Sequence, residues 1–158
     1  MKEHSCCFTG HRQVAPTDLK RVKSRLYDLI ERLIGAGINV FYNGGALGFD
    51  LLAAQVVIEM RESFPQVKLI MVLPCKSQSN RWSEADRAKY ERTLDSADQV
   101  IYTAEQYDNG CMHRRNRYLV DHSAYCLAYL TRPKGGTFYT VNYALKKDLW
   151  VVNLAIKN

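Results

Sequence analysis

The sequence has few cysteines and no long apolar run. Its five cysteines follow no paired spacing, which excludes a disulfide framework. Cys6, Cys7 and Cys126 are therefore predicted to be small buried residues in a reducing compartment. No apolar stretch approaches the roughly 18 residues that span a membrane, and the first five residues lack the apolar core of a signal peptide. We expect a cytoplasmic protein with no membrane partner.

The chain also lacks low-complexity segments, repeats and linkers, which favours a single domain over residues 1–158. Apolar residues make up 47% of the sequence and charged residues 24%, as in ordinary globular proteins. The net charge of +6 is consistent with an anionic ligand or with nucleic acid, although a solvated basic surface produces the same balance.

Short apolar segments alternate with helical patterns along the chain. The segments predicted as strands are residues 6–9, 38–42, 67–73, 99–102, 125–130 and 149–152. The segments predicted as helices are residues 16–35, 47–63, 83–94, 112–120 and 138–147. Such alternation favours an α/β fold, namely a single Rossmann-like three-layer α/β/α domain with a mostly parallel, doubly wound sheet.

Two glycine pairs stand where a predicted strand ends and a helix begins. Gly44 and Gly45 follow the second strand, with Gly48 shortly after them, and Gly135 and Gly136 follow the fifth strand. Such turns let the main chain approach a ligand, and the next helix adds the positive end of its dipole. Because the carboxyl ends of parallel strands share one sheet edge, the two turns predict a site for a nucleotide or a nucleotide derivative.

The first glycine turn matches neither of two well-defined phosphate-binding motifs. Its first glycines are adjacent, unlike those of G-x-G-x-x-G, and it lacks the lysine and hydroxyl of a P-loop. Asp50 lies in the first turn of the following helix, where a carboxylate stabilises the helix dipole. The same side chain is a candidate for holding a ribose hydroxyl or for shaping the loop.

Three candidate residues follow the first strand at the same predicted edge. Gly10 permits a tight exit from the strand, and Arg12 offers a planar set of donors suited to phosphate. His11 is a candidate ligand contact or acid–base group. The alternatives are that Arg12 is a solvated loop residue and that His11 caps local backbone.

The loop after the third strand mixes amide, cationic and aromatic side chains. Gln78 is a candidate for reading a base or a sugar, and Arg81 is a candidate charge partner for phosphate. Trp82 either stacks on a base or anchors its helix in the core. Cys75 is interpreted as a packing residue, because the sequence places no base beside it.

A basic segment, residues 113–117, precedes the fifth strand. Within it, Arg114 and Arg115 are candidate phosphate contacts, and Asn116 is a candidate for binding a ligand or orienting a glycine loop. The alternative for the arginines is a solvated helix face. Thr137 follows the second glycine pair, where its hydroxyl is placed to cap the last helix or to meet the ligand.

Neither a metal site nor a cofactor is predicted. Cys111, His113 and His122 lie near one another in the sequence, but they do not form the two-plus-two ligand pattern of a structural metal site.

Together these segments resemble the SLOG superfamily, and within it the YpsA-like branch. The superfamily joins proteins similar to DNA-processing protein A with LOG-type phosphoribohydrolases. The resemblance implies a Rossmann-like fold and a pocket for a nucleotide or a nucleotide-derived ligand, and it leaves a homodimer open. The segments that carry it are residues 8–12, residues 44–50, Pro74 with Gln78 and Trp82, residues 115–121 and residues 135–144.

One segment departs from the LOG-type pattern. Those hydrolases carry P-G-G-x-G-T-x-x-E, whose glutamate takes part in cleaving the N-glycosidic bond. Val141 or Asn142 stands here where the acid is expected. An amide can hold a ribose hydroxyl but cannot act as a carboxylate base. No catalytic residue is therefore assigned, and Asp50 or Asp121 can substitute only if the fold brings one of them to this position.

The function favoured by the sequence is that of a nucleotide-binding or sensor protein. Main-chain amides would hold phosphate, with Arg12, Arg81 and Arg115 as charge partners. The first alternative is an enzyme that releases the base from a nucleoside monophosphate. The second alternative is binding of single-stranded nucleic acid, as in relatives of DNA-processing protein A.

Overall fold

The computed structural model describes residues 2–157, within which six strands alternate with five α-helices. Met1 and Asn158, the ends of the predicted domain, lie outside the described residues. The strands are β1 (Ser5–Gly10), β2 (Val40–Asn43), β3 (Lys68–Leu73), β4 (Gln99–Tyr102), β5 (Tyr125–Tyr129) and β6 (Trp150–Asn153). The helices are α1 (Pro16–Gly35), α2 (Phe49–Ser63), α3 (Glu84–Ser96), α4 (Cys111–Asp121) and α5 (Gly136–Lys146).

All six strands are parallel and lie in the order β4-β3-β2-β1-β5-β6. The predicted doubly wound, Rossmann-like sheet is therefore confirmed. The order reverses between β1 and β5, because the chain runs outward from β1 to β4 and then returns to the other side of β1. Ligands of doubly wound sheets bind beyond the carboxyl ends of the strands at such a switch point.

Helices cover both faces of the sheet and give it three layers. On one face, the apolar stripe of α1 packs with α2 and with Tyr90 of α3 over the buried side chains of the strands. On the other face, Leu119 and Val120 of α4 pack with Val141 and Ala144 of α5. Each large side chain buried in this way contributes about 1.5–3 kcal/mol of transfer free energy.

The largely apolar pattern of α2 predicts a well-buried helix, and seven of its residues are buried, Asp50 among them. The helix begins at Phe49 rather than at the predicted Leu47, because Gly48 has a φ of +80°. A right-handed helix requires a negative φ. All five cysteines are free and buried, as the sequence predicts for the three in strands.

Within residues 2–157, no helix combines the length and the apolar character that crossing a bilayer requires.

Candidate functional site at the switch point

A cavity of about 320 Å³ opens beyond the carboxyl ends of β1 and β5. We call it the switch-point cavity. It is lined by the end of β1, by the loops that follow β1, β2, β3 and β5, by the first turns of α2 and α5 and by the first two turns of α4. Ten of the predicted site residues line it: Gly10, His11, Arg12, Asp50, Gln78, Arg115, Asn116, Gly135, Gly136 and Thr137. The other five lie behind it or beside it: Gly44, Gly45, Gly48, Arg81 and Trp82.

The loop after β1 holds His11 in one orientation. The main-chain amide of His11 donates to the Tyr129 carbonyl at 3.2 Å, which continues the pairing of β1 with β5. Its Nε2 accepts a 2.9 Å bond from the Thr131 amide, so the neutral ring carries its proton on Nδ1. Burial lowers the pKa of His11, and Arg132 lowers it further. His11 is therefore a neutral, buried donor at the cavity wall.

The amides of the first glycine turn donate to side chains that flank the turn. The Gly45 amide donates to Asn43 Oδ1 at 2.8 Å, and the Ala46 amide donates to Asp50 Oδ2 at 3.3 Å. Asn43 Nδ2 in turn donates to the Asp50 carbonyl at 2.7 Å. Gly44 and Gly45 are themselves buried. This turn shapes the cavity but directs neither of these amides at a ligand.

Two glycines on this side allow the β1 loop and the start of α2 to touch. A Cβ at Gly10 would lie 2.4 Å from the Phe49 ring, and a Cβ at Gly48 would lie 2.1 Å from the Arg12 carbonyl oxygen. The Phe49 amide donates to the His11 carbonyl at 3.2 Å across the same contact. These glycines therefore have a packing role in addition to any ligand-binding role.

The second glycine turn is open toward the cavity. Gly135 precedes α5 with a φ of +91°, and as a glycine it has no side chain to cap the helix. The first amides of a helix have no partner within the helix, and Gly136 and Thr137 line the cavity at that point. The Thr137 hydroxyl does not occupy the N-cap position, while Thr140 is buried and donates to the Gly136 carbonyl at 2.7 Å.

Arg115 reaches the cavity from the buried face of α4 and is 6% exposed. Its Nη1 donates to the Gly44 carbonyl at 2.5 Å, and its Nε donates to Asn116 Oδ1 at 2.8 Å. A weaker 3.5 Å bond runs from Nη1 to Gln78 Oε1. The acceptors are all neutral, and burial lowers the pKa of the guanidinium. Arg115 is thus a desolvated cation that forms no ion pair with a carboxylate of the described residues.

Gln78 is held by the residues around it. Its Nε2 donates to the Tyr90 hydroxyl at 3.2 Å and to the Gly44 carbonyl at 3.4 Å. Since its Oε1 meets Arg115, both ends of the amide contact protein. Gln78 is therefore placed to orient Arg115 as much as to read a ligand.

Asp50 is 4% exposed and lines the cavity from the first turn of α2. Its Oδ2 accepts the bond from Ala46, whereas its Oδ1 has no hydrogen-bond partner among the described residues. Burial raises the pKa of this carboxyl to about 7, against the opposing effects of Arg115 and of the Ala46 amide. Near neutral pH, Asp50 is therefore present in both its neutral and its ionised form.

A second cavity, of about 600 Å³, adjoins the first and shares Arg12, Gln78 and Met112 with it. Arg81 and Trp82 line this adjoining cavity. The Trp82 ring also meets the edge of Tyr90 at a centroid distance of 5.0 Å and packs against the core. Trp82 therefore both packs against the core and lines the adjoining cavity.

The comparisons with known proteins support one family. The model of the YspA SLOG family matches residues 7–150 of the chain. The chain belongs to the YspA SLOG family. The uncharacterized SPbeta prophage-derived protein YoqJ of Bacillus subtilis is 34% identical to it over 147 residues, covering 85% of each chain. A UPF0398 protein of Halalkalibacterium halodurans is 34% identical over 151 residues, covering 93% of this chain and 78% of the relative.

Two solved structures share the SLOG fold of this chain. DNA processing protein A from Helicobacter pylori, described as binding single-stranded DNA, has a TM-score of 0.64 at 20% identity. Its counterpart from Streptococcus pneumoniae has the same TM-score at 16% identity. This chain is covered to 95% and 94%, and it spans 64% and 49% of those two proteins. At such identities the likeness concerns the fold alone.

Five lining residues of this SLOG cavity are not among the predicted site residues, namely Thr9, Ala46, Met112, Arg132 and Lys134. Arg132 and Lys134 flank Pro133 directly after β5, and Met112 lies on the first turn of α4. The two cations were detectable, because they lie in the predicted loop beyond the fifth strand at the ligand-binding edge. Met112 had no such signal. Its Sδ lies 3.8 Å from Arg115 Nη2, a contact between residues three positions apart on the same helix.

The place of the missing LOG-type glutamate is also defined. Val141 is buried in the core beneath α5, and Asn142 lines a separate groove on the outer side of that helix. Asp121 lies at the end of α4 and accepts a bond from the Tyr143 hydroxyl at 2.8 Å, away from the cavity. Of the two aspartates that the sequence offers as substitutes, the fold brings Asp50 to the cavity.

Cys111, His113 and His122, which lie near one another in the sequence, each contact different residues in the structure. Cys111 is buried, the His113 ring contacts Tyr139 at 4.0 Å, and the His122 ring stacks on Tyr118 at 3.9 Å.

Proposed function

We propose that this SLOG protein binds a nucleotide or a nucleotide derivative in the switch-point cavity and acts as a sensor of that ligand. The observation that carries the proposal is the meeting of two features in one cavity. The open first turn of α5 at Gly136 faces a space that is also lined by the buried Arg115. A phosphate group supplies the negative charge that both features favour.

The charges around the cavity support an anionic ligand. Four lining residues are cationic, namely Arg12, Arg115, Arg132 and Lys134, while Asp50 is the one acid among the described lining residues. Arginine donates to phosphate in a planar, bidentate manner, and helix amides add directed hydrogen bonds. Phosphate is therefore expected between the first turn of α5 and Arg115.

The adjoining cavity supports a ligand larger than phosphate. It continues from the switch-point cavity past Gln78 and is bordered by Trp82 and Tyr107. Aromatic side chains favour the flat faces of nucleobases, and amide groups favour their edges. We propose that a phosphate occupies the switch-point cavity and that the base lies toward Trp82. The five free cysteines are in keeping with a cytoplasmic location for this binding.

Thermal-shift and calorimetric titrations with AMP, ADP-ribose, NAD and ribose 5-phosphate test the proposal. We expect at least one nucleotide to stabilise the protein in a concentration-dependent manner. Lys134→Met, at the cavity wall, should weaken binding, whereas Lys89→Met, on exposed α3, should not. No stabilisation by any of these compounds at millimolar concentration would refute the proposal.

A hydrolase acting on the same class of ligand is the second candidate, and the position of Asp50 favours it. A carboxyl with a pKa of about 7 can give or take a proton at neutral pH. In that case the purified protein releases the base from AMP, and Asp50→Asn abolishes release without abolishing binding. A protein that binds AMP and leaves it intact is a sensor rather than a hydrolase.

Binding of single-stranded DNA is the third candidate, on the basis of the +6 charge and the fold shared with DNA processing protein A. Arg114 and Arg117 lie outside the buried face of α4, paired with Asp108 and with the Tyr139 hydroxyl. Retention of an oligonucleotide should then fall steeply with salt, and Arg114→Ala with Arg117→Ala should weaken it. Salt-independent or absent retention excludes this candidate.

A further inference from the structure

The two carboxyl oxygens of Asp50 differ in their hydrogen bonding. Its Oδ2 accepts the 3.3 Å bond from the Ala46 amide, which closes the first glycine turn. Its Oδ1 is buried, has no hydrogen-bond partner among residues 2–157, and belongs to a side chain that lines the switch-point cavity. A buried polar oxygen without a partner is unfavourable unless a ligand or water completes it. This oxygen is therefore a candidate contact to the ligand.

Arg115 does not neutralise Asp50 by direct contact. No ion pair of 4.0 Å or less joins the two side chains in the described part of the chain, and the Arg115 donors go to neutral acceptors. Arg115 acts on Asp50 at longer range, and burial outweighs its effect on the pKa of the carboxyl. An ionised Asp50 would also repel a phosphate bound in the same cavity.

Building on the proposed function, we propose that Asp50 meets the ligand as a neutral carboxylic acid whose Oδ1–H donates a hydrogen bond to a phosphate oxygen. The proton comes from hydronium or the buffer acid, whose bond to it breaks as the O–H bond of Asp50 forms on ligand binding. The ligand class is thus an anion that binds together with one proton. Arg115 and the α5 amides bind other oxygens of the same group.

The other charged and titratable groups around Asp50 do not produce the same pH dependence. His11, on the loop after β1, has a pKa below its ordinary 6.5, so it stays neutral at higher pH. Burial raises the pKa of Tyr90, on α3, to about 12, and the pKa of the Cys126 thiol, in β5, is raised as well. The cations that face the cavity are Arg12, Arg115, Arg132 and Lys134. Above about pH 6.5, Asp50 is therefore the group whose protonation changes near 7.

The test uses ADP-ribose, because its pyrophosphate oxygens do not titrate near neutral pH. We expect its Kd to rise with pH above 7, approaching roughly tenfold for each pH unit. Calorimetry at about pH 8, in buffers of different ionisation enthalpy, should show uptake of close to one proton per ligand bound. Proton uptake is measured on the wild-type protein and does not depend on any variant folding.

Asp50→Asn provides the matched variant, because its amide is a permanent donor of the same size. We expect this variant to bind ADP-ribose with an affinity that does not vary with pH and with no proton uptake. Asp95→Asn, on the exposed side of α3, should keep the wild-type profile.

Three outcomes overturn the inference. A wild-type affinity that is constant between about pH 6.5 and 8.5 shows that Asp50 does not change protonation on binding. An affinity that rises with pH, together with loss of binding in Asp50→Asn, shows instead an ionised carboxylate that accepts from ribose hydroxyls. Both results leave the proposed function standing. Failure of ADP-ribose, AMP and sulfate to bind at any pH removes the proposed function and this inference together.

Discussion

The Nη1 of Arg115 donates a 2.5 Å hydrogen bond to the carbonyl oxygen of Gly44, and this bond joins α4 to the first glycine turn. The guanidinium occupies the space that a side chain at Gly44 would need, since a Cβ there would lie 2.7 Å from the same nitrogen. Arg115, from the basic segment of the sequence, therefore helps to hold the site together from a buried position. The same position makes it a cation that a bound anion can neutralise.

Replacing Arg115 with methionine should destabilise the fold and abolish ligand binding. The change keeps much of the side-chain volume but leaves the carbonyl of buried Gly44 without this donor. The loss of such a bond costs about 1–3 kcal/mol of unfolding free energy. Urea denaturation measures it. Arg114→Met, which breaks an exposed ion pair with Asp108, is the control and should cost less than about 1 kcal/mol. An equal loss of unfolding free energy in the two variants would contradict the structural role of Arg115.

Asp50→Asn should stabilise the protein above neutral pH. Burial raises the Asp50 pKa from its ordinary 3.8 to about 7. Between these values the folded protein binds more protons than the unfolded chain. The wild-type unfolding free energy therefore falls as the pH rises through this window. The variant does not undergo this loss. Its unfolding free energy should therefore exceed that of the wild type by near zero at about pH 4 and by at most about 4 kcal/mol at about pH 8.

Denaturant midpoints of the wild type and Asp50→Asn, measured across this pH range, test the predicted pH dependence of stability. The difference between the two proteins cancels the titration of all other groups. A difference that stays constant with pH would mean that the Asp50 pKa is not raised in the folded protein.

Two glycine substitutions should separate packing from ligand contact. Gly48→Ala should destabilise the protein by more than about 1 kcal/mol, because Gly48 has a positive φ and its Cβ would meet the Arg12 carbonyl at 2.1 Å. Gly136→Ala should leave stability within about 0.5 kcal/mol, because its Cβ would meet nothing nearer than Asn116 Nδ2 at 3.7 Å. The added methyl at Gly136 should nevertheless weaken ligand binding. Thermal unfolding and titration distinguish the two effects, and a stable Gly48→Ala protein would refute the packing argument.

If the protein forms the homodimer that the sequence leaves open, we expect the dimer to bury Trp150. This residue begins the edge strand β6, whose described pairing is with β5 alone, and it is 72% exposed. Exposed strand edges and large exposed apolar groups favour association. Trp150→Glu should convert a dimer to a monomer in sedimentation experiments, whereas Tyr107→Glu, on an exposed loop, should not. A dimer that persists in Trp150→Glu would place the interface elsewhere.

Much of the fold could be predicted from local patterns. The apolar stripe of α1 and the strand–turn–helix alternation predict elements that the structure contains, with differences of one or two residues at most ends. Those differences have local causes, such as the positive φ of Gly48, which delays α2 to Phe49. The parallel sheet then follows, because each helix carries the chain back to the same end of the sheet.

The site was less accessible to sequence reasoning, because its chemistry depends on side chains that meet across the sheet edge. The two glycine turns have similar sequences, yet Asn43 and Asp50 bind the amides of the first turn, while the second opens to the cavity. In the basic segment, Arg115 is buried and Arg114 is exposed, although they are neighbours in the chain. Helical geometry decides this difference, but only tertiary packing reveals which helix face is inside.

The sequence by itself determined the alternation of elements, the reduced state of the buried cysteines and the sheet edge at which polar residues gather. These properties depend on the local periodicity and composition of the chain. Only the tertiary structure decided that Arg115 and Asp50 share one cavity without forming an ion pair, and that one Asp50 oxygen has no hydrogen-bond partner within residues 2–157. Burial and distance set the charge of such groups, and both arise from residues far apart in the chain.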